Sequence, residues 1–187
     1  MIAPYTIDVP EHRLATIRAP VAAYDWSQLP DAGGWGAGVG IADLRRLVRY
    51  WLDRYDWRNV ERRLNRFSHF MADIDGQGIH YIHVRGNGTK PPVVLIHGWP
   101  GSFLEFERLI EPLAEDGHDV IVPSLPGFAF SHPIPRVTGP RRTAALMREL
   151  MSQLFGSTRF IVQGETGGMA SRAGSRMTSR TICWAST

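Results

Sequence analysis

The sequence predicts an α/β fold, in which an open sheet of strands that alternate with helices follows a helical, meandering N-terminal segment. Continuous apolar runs within residues 93–96, 119–122 and 159–163 are typical of strands that are buried on both faces of a parallel sheet. Between these runs, apolar residues recur at intervals of three and four, as along one face of a helix. Strands that alternate with helices in this way indicate an open α/β sheet.

Composition narrows the classes of function. The chain has 187 residues, of which 43% are hydrophobic, so it can bury one sizeable core. Its net charge of +3 comes from arginines interleaved with acidic residues, without a basic stripe crossed by aromatic side chains, and we therefore expect no nucleic-acid partner. The sole cysteine, Cys183, excludes an internal disulfide and fits a reducing, cytoplasmic compartment. We expect neither a signal peptide nor a membrane anchor, because no stretch approaches the roughly 18 apolar residues of a membrane span.

The N-terminal segment mixes short elements with a long loop. Apolar and polar residues alternate over 5–9, which predicts a half-buried strand, whereas the glycines and prolines of residues 19–40 predict a loop. Amphipathic spacing predicts a helix over residues 41–55 and a shorter one over residues 57–64. We expect four tryptophans to pack between this segment and the α/β core rather than to form a ligand cage: Trp26, Trp35, Trp51 and Trp57.

A hairpin is predicted next. The Asp-Gly pair at residues 75–76 favours a tight turn between strands at residues 67–74 and 79–84. His80 and His83 lie three apart in the second strand, so their side chains point to opposite faces and cannot bind one metal ion together. We interpret them as surface or interface histidines.

The loop after residues 93–96 is the first candidate for chemistry. Ester-type catalysis needs backbone amides that point at a developing oxyanion. In the loop, Gly98 permits a close approach and Pro100 has no amide hydrogen, so the Trp99 amide is the predicted donor. The alternative is an ordinary strand-to-helix turn. The candidate loop residues are His97, Gly98, Trp99 and Pro100.

Two loops and the upstream segment together resemble a known family. His-Gly-Trp-Pro-Gly-Ser at residues 97–102 and Pro-Ser-Leu-Pro-Gly-Phe-Ala-Phe-Ser at residues 123–131 are similar to the first two loops of the epoxide hydrolases with an α/β-hydrolase fold. A capping box formed by Ser102 and Glu105, directly after the loop at residues 97–100, favours an oxyanion loop over an ordinary strand-to-helix turn. The segment before residue 90 resembles the N-terminal domain of the microsomal-type branch, through Tyr50-Trp51, Asp56-Trp57-Arg58, Leu64-Asn65-Arg66-Phe67, Ile74-Asp75-Gly76 and Ile79-His80-Tyr81-Ile82-His83.

The resemblance, which runs from about Tyr5 to Gly164, implies both organisation and activity. It implies an epoxide hydrolase N-terminal-type segment over residues 1–90 and the first half of an α/β-hydrolase core over residues 91–164. The implied activity is hydrolysis of a small-molecule epoxide to a vicinal diol, without a metal ion or an organic cofactor.

The nucleophile turn departs from the family pattern. In the family, the third strand leads into Gly-Gly-Asp-Trp-Gly, and its aspartate attacks the epoxide to form an alkyl ester that a histidine-activated water hydrolyses. In this chain Thr166 stands at the aspartate position, and threonine cannot form that ester. Glu165 is not expected to substitute, because its carboxylate would be misplaced by more than about 1 Å. We therefore expect the chain to be inactive.

We expect the loss of one base in the gene to be the cause of this departure. Residues 165–170 are encoded GAR ACN GGN GGN ATG GCN, and one inserted G gives codons that permit Gly-Asp-Trp-Gly. We therefore interpret residues 165–187 as an out-of-frame tail; the alternative is a disordered basic C-terminus.

Two other functions remain open. A serine hydrolase of the same fold would need Gly-x-Ser-x-Gly, which the sequence lacks. A truncated, non-catalytic interaction fragment would instead self-associate through exposed apolar surface.

Overall fold

The computed structural model describes residues 1–30, 33–36, 38–134, 138–156, 159–164 and the backbone of residues 182–184. They form two compact units. The smaller unit comprises Ile7–Leu64, and the larger unit comprises Met1–Thr6 together with the described residues from Asn65 onward.

The smaller unit is helical. Its helices are α1 (Glu11–Ala22), α2 (Ile41–Asp53) and α3 (Trp57–Leu64), with a short 3-10 turn at Trp26–Gln28. The two helices predicted from amphipathic spacing are confirmed as α2 and α3. Helix α1 was not predicted, because it carries an internal proline, Pro20, and none of its residues is buried, so no apolar stripe marks it in the sequence.

Glu61 holds the smaller unit together from α3. Its carboxylate is largely buried and accepts hydrogen bonds from the Val9 amide at 2.8 Å and from the Trp57 indole N–H at 2.9 Å. Arg58 completes the set with an ion pair of 2.6 Å. Three donors on one buried carboxylate satisfy a charge that would otherwise be costly to bury.

The tryptophans of the smaller unit differ in exposure. Trp35 is 72% exposed, and its indole N–H donates to the Asp43 carboxylate at 2.7 Å. Trp51 is 39% exposed. The prediction that all four tryptophans are packed is therefore wrong for these two.

The larger unit contains a mixed sheet. Its strands are β1 (Ile2–Tyr5), β2 (His69–Ile74), β3 (Gln77–Val84), β4 (Val93–Ile96), β5 (Val120–Pro123), β6 (Phe160–Gly164) and β7 (Ile182–Trp184). They lie in the order β1-β2-β3-β5-β4-β6-β7. Strand β4 pairs parallel with β5 and with β6, whereas the other pairs are antiparallel. The α/β fold class predicted from the sequence is confirmed.

The N-terminal strand is displaced from its predicted position. The sequence predicts a strand over residues 5–9, but β1 ends at Tyr5 and pairs with β2 in the register Ile2↔Ala72. The alternation at residues 7–9 instead belongs to an irregular segment, in which Ile7 is buried with 1% exposure and the Val9 amide is bound by Glu61. Burial of one apolar side chain in a loop therefore mimicked a strand pattern.

The predicted hairpin is confirmed as β2 and β3. Asp75 and Gly76 both have positive φ, 53° and 75°, as a two-residue hairpin turn of type I′ requires. The Asp73 carboxylate accepts the Gly76 amide at 3.0 Å and stabilises the turn. The strands begin at His69 and Gln77, within two residues of their predicted starts.

Helices cover the central strands. A 3-10 turn at Phe103–Phe106 leads into α4 (Glu107–Glu115), and α5 (Pro140–Phe155) precedes β6. All four residues of β4 and of β5 are buried, as predicted for strands covered on both faces. From α5, the core receives Leu146, Met147, Leu150 and Met151.

The predicted boundaries at residues 90 and 164 stay predictions. In the structure the β2–β3 hairpin belongs to the same sheet as β4 and β5. Of the proposed out-of-frame tail, only residues 182–184 are described, as the strand β7 beside β6. No helix in the described parts of the chain combines the length and apolar character needed to cross a membrane.

Candidate active site

Three strands of the sheet deliver their following loops to one edge. Strand β4 lies between β5 and β6, and all three run parallel. In the β4–β6 register Ile96 is the partner of Gly164, so the last residues of both strands are direct neighbours. The strands that end at Ile96, Pro123 and Gly164 therefore end at the same carboxyl edge, where open α/β sheets bind their ligands.

His97 links two of these loops. Its ring is fully buried, and Nε2 accepts a hydrogen bond from the Leu125 amide at 3.0 Å. Because Nε2 accepts, the proton of a neutral ring lies on Nδ1, which is 3.2 Å from the Gly98 carbonyl oxygen. The Phe128 ring packs edge-on against the imidazole, with 5.2 Å between the centroids. His97 thus connects the loop that follows β4 from residue 97, the β4 exit loop, to the loop that follows β5 from residue 124, the β5 exit loop.

The rest of the β4 exit loop is shaped by a helix cap. The Glu105 carboxylate accepts the Ser102 amide at 3.1 Å, and the Ser102 hydroxyl accepts the Leu104 amide at 3.4 Å, which confirms the predicted capping box. A Cβ at Gly101 would overlap a Glu105 carboxylate oxygen, so a larger residue there would displace the Glu105 side chain from the cap. The Trp99 side chain, by contrast, is 80% exposed.

The structure places part of the predicted site and leaves part outside. His97, Gly98, Trp99 and Pro100 all follow β4 at the carboxyl edge, and the peptide bond between Trp99 and Pro100 is cis. Glu165 and Thr166 lie outside the described residues, although the strand that leads to them ends beside β4. The role of the Trp99 amide as oxyanion donor stays a prediction.

His80 was placed wrongly by the sequence argument. It is completely buried, whereas the sequence suggested a surface or interface position. The reason is that β3 is an interior strand, flanked by β2 and β5, and six of its eight residues are buried, so both of its faces are covered. His83 is only partly buried, and its Nε2 lies 3.3 Å from the Asp119 carboxylate.

Sequence reasoning also missed a polar cluster around His80. His80 Nδ1 is hydrogen-bonded to the Ser124 hydroxyl at 2.8 Å, and His80 Nε2 lies 2.9 Å from Nδ1 of His69. The Ser131 hydroxyl accepts the His80 amide at 2.9 Å and donates to the Ser124 carbonyl at 2.7 Å. Only tertiary pairing brings these residues together, since up to 62 positions separate His69 from Ser131.

Burial dominates the electrostatics of this cluster. Burial, and secondarily the nearby His69, lowers the pKa of His80 from 6.5 to about 3. The aromatic rings of Tyr5, Phe103 and Phe130 lie edge-on to the imidazole, with centroid distances of 5.4, 5.2 and 5.3 Å. His80 is therefore neutral at physiological pH. Across the described residues, no group of three or more His, Cys, Asp and Glu side chains is arranged to hold a metal ion.

Comparison with known proteins identifies the relatives of this chain. Residues 2–106 match the family described as "Epoxide hydrolase N terminus", and residues 91–166 match the family described as "alpha/beta hydrolase fold". The chain is 40% identical to the "Putative epoxide hydrolase" of Stigmatella aurantiaca, over 89% of this chain and 40% of the relative. It is 31% identical to "Juvenile hormone epoxide hydrolase 2" of Ctenocephalides felis, over 94% of this chain and 40% of the relative.

Solved structures agree with the sequence relatives. The Aspergillus niger epoxide hydrolase superposes with a TM-score of 0.82 at 28% identity, over 91% of this chain and 48% of that one. The juvenile hormone epoxide hydrolase of Bombyx mori gives a TM-score of 0.80 at 28% identity, over 91% of this chain and 43% of that one. The chain thus spans about 40% of the length of the curated relatives that it matches.

Proposed function

Because the chain belongs to the epoxide hydrolase family, we propose that its described part builds the oxyanion side of a site for epoxide hydrolysis. We further propose that the 187-residue chain does not itself turn over an epoxide. The observation that carries the first proposal is the parallel β4–β6 register. It pairs Ile96, the last residue before the loop at residues 97–100, with Gly164, the last residue before the proposed nucleophile turn.

The family chemistry assigns a task to each of these two loops. A carboxylate in the turn after β6 attacks an epoxide carbon, the carbon–oxygen bond of the ring breaks, and the alkoxide takes up a proton. Water then attacks the carbonyl of the resulting ester, and the negative charge on its oxygen needs backbone N–H donors within hydrogen-bond distance. The Trp99 amide is our candidate for one such donor, since it belongs to the loop that leaves the neighbouring strand.

The fixed position of the loop at residues 97–102 supports this assignment. His97 is anchored on the β5 exit loop through Leu125, and Ser102 is anchored on Glu105, so both ends of residues 97–102 are fixed. A loop that is fixed at both ends can hold an amide in place before the charge develops, which is what electrostatic stabilisation of an intermediate requires.

The second proposal depends on the turn itself. Thr166 stands where the family has its nucleophilic aspartate. A threonine hydroxyl offers no carboxylate for the ester, and the neighbouring Glu165 starts from a different backbone position. Loss of a nucleophile leaves an oxyanion loop without the intermediate it would stabilise.

Turnover of styrene oxide tests both proposals. We expect no diol above a no-protein control for the 187-residue chain, and none for Glu165→Gln. Sequencing of the gene should show that one G inserted before the codon of residue 165 opens a reading frame that encodes Gly-Asp-Trp-Gly. The chain translated from the gene with this insertion should turn over styrene oxide. Turnover by the chain with Thr166 in place would contradict the second proposal; a shifted frame that stops at once would contradict the out-of-frame interpretation.

A non-catalytic interaction fragment is the second candidate function, and one observation favours it. The four apolar side chains of β4 are buried, whereas Phe160, Ile161 and Val162 of β6 are only partly buried. Incompletely covered apolar strand residues favour self-association. Light scattering during size-exclusion chromatography should then show oligomers, which Val162→Thr reduces. A concentration-independent monomer would remove this candidate.

A further inference from the structure

A chain of hydrogen bonds runs from the interior of the sheet to the candidate oxyanion loop. It begins at His80 on β3, passes through Ser124 directly after β5, and reaches His97 through the next residue, Leu125. Both histidine side chains and that of Ser124 are fully buried, and Leu125 is 8% exposed. Water therefore has little access to compete for these bonds.

Residue 124 is held by three contacts from two elements. The Ser124 amide donates to the His80 carbonyl at 2.8 Å, which continues the β3–β5 pairing one residue past the end of β5. The Ser124 hydroxyl is bound by His80 Nδ1 at 2.8 Å, and the Ser124 carbonyl accepts the Ser131 hydroxyl at 2.7 Å. Such contacts leave the peptide that carries the Leu125 amide little freedom to rotate.

We infer that His80 is a positioning residue, which acts through Ser124 to aim the Leu125 amide at His97 and so to hold the candidate oxyanion loop in place. In this role His80 acts on the backbone of the β5 exit loop, through its two contacts with Ser124. His97 then transmits this fixed position to the β4 exit loop through the bond of 3.0 Å at Nε2.

The two nitrogens of His80 have different partners, which makes the inference specific. Nδ1 contacts Ser124, whereas Nε2 contacts His69. The amide of an asparagine side chain can reach the place of Nδ1, and that of glutamine can reach the place of Nε2. His80→Asn should therefore keep the Ser124 contact, and His80→Gln should lose it, although glutamine fills more of the volume of the ring. A role in packing alone predicts the opposite order.

Amide hydrogen exchange can measure the position of the Leu125 amide. Val93 provides the internal reference, because its amide donates to the Asp119 carbonyl at 2.8 Å within the same sheet but outside the cluster. Ser124→Ala should raise the exchange rate of Leu125 relative to Val93 by roughly tenfold, the effect of losing one hydrogen bond. His80→Gln should do the same, His80→Asn should stay close to the unmodified chain, and exposed Ser68→Ala is the matched control.

A direct spectroscopic signature accompanies the exchange data. In the 15N-labelled chain, an N–H···N hydrogen bond gives a scalar coupling between the Leu125 amide nitrogen and His97 Nε2. We expect the coupling in the unmodified chain and in His80→Asn, and its loss in Ser124→Ala. If the His80 variants fail to fold, the Ser124→Ala result and the coupling decide the matter alone.

Several outcomes would overturn the inference. They are an absent coupling in the unmodified chain, Leu125 and Val93 amides that change together in Ser124→Ala, and equal behaviour of His80→Asn and His80→Gln. The inference rests on the proposed function for its catalytic meaning. Its test reads hydrogen bonds, however, so the absence of epoxide turnover would not count against it.

Discussion

The stability of the fold should depend on pH through His80. This side chain is fully buried, and its pKa is about 3 in the folded chain against 6.5 in an unfolded one, because burial and the neighbouring His69 disfavour the charged form. The folded pKa is the lower one, so the unfolded chain binds more protons between these values. The stabilising contribution is complete above about pH 6.5 and is lost as the pH falls towards about 3.

The size of this effect follows from the two pKa values. Each pH unit between them corresponds to about 1.4 kcal/mol, so the full contribution is up to about 5 kcal/mol. At about pH 4.5, which is some two units below the unfolded pKa, roughly 3 kcal/mol should already be lost. The loss is a large fraction of the total free energy of unfolding of a folded domain, which is typically about 5 to 15 kcal/mol.

Urea unfolding followed by tryptophan fluorescence can measure the loss. The free energy of unfolding is compared at neutral pH and at about pH 4.5 for the unmodified chain, for His80→Asn and for the exposed His12→Asn, which serves as matched control. Burial also lowers the pKa of His83, against an opposing hydrogen bond and charge from Asp119, so the difference between variants isolates His80. We expect His80→Asn to lose most of the pH dependence. If its pH dependence equals that of the unmodified chain, the reasoning is refuted.

Three further predictions concern single contacts. Ser102→Ala should destabilise the larger unit by about 1 kcal/mol, the usual cost of a lost helix cap, and Glu105→Ala in the same background should add less than it costs alone; additive unfolding energies would contradict the capping box. His97→Phe should cost about 1 to 3 kcal/mol, because the buried Leu125 amide loses its acceptor, and an unchanged urea midpoint would show that the link is not formed. Glu61→Gln should lower the thermal midpoint of the smaller unit, since a neutral amide replaces the carboxylate that binds three donors. If the variant instead shows faster amide hydrogen exchange only in the larger unit, this prediction is wrong.

The sequence was sufficient to predict those strands and turns whose residues follow a regular pattern. Strand β4 and strand β5 are buried on both faces, so every residue in them is apolar and the pattern is unambiguous. The hairpin turn needs positive φ at two successive positions, and the sequence predicts it because an Asp-Gly pair, here Asp75-Gly76, favours that conformation. Helix α1 could not be found in this way, because it buries no residue and so leaves no periodic stripe.

The candidate site likewise has features that the local sequence determines and features that depend on tertiary contacts. The sequence by itself determined the composition of the β4 exit loop, with Gly98 and Pro100, and it predicted a departure from the family pattern at Thr166, since these are local features of the sequence. Only the tertiary structure decided that Ile96 and Gly164 end side by side, and that His80, on an interior strand, reaches Ser124. The physical reason is that strand order and register depend on contacts between distant segments, and no local pattern records which strand becomes the neighbour of another.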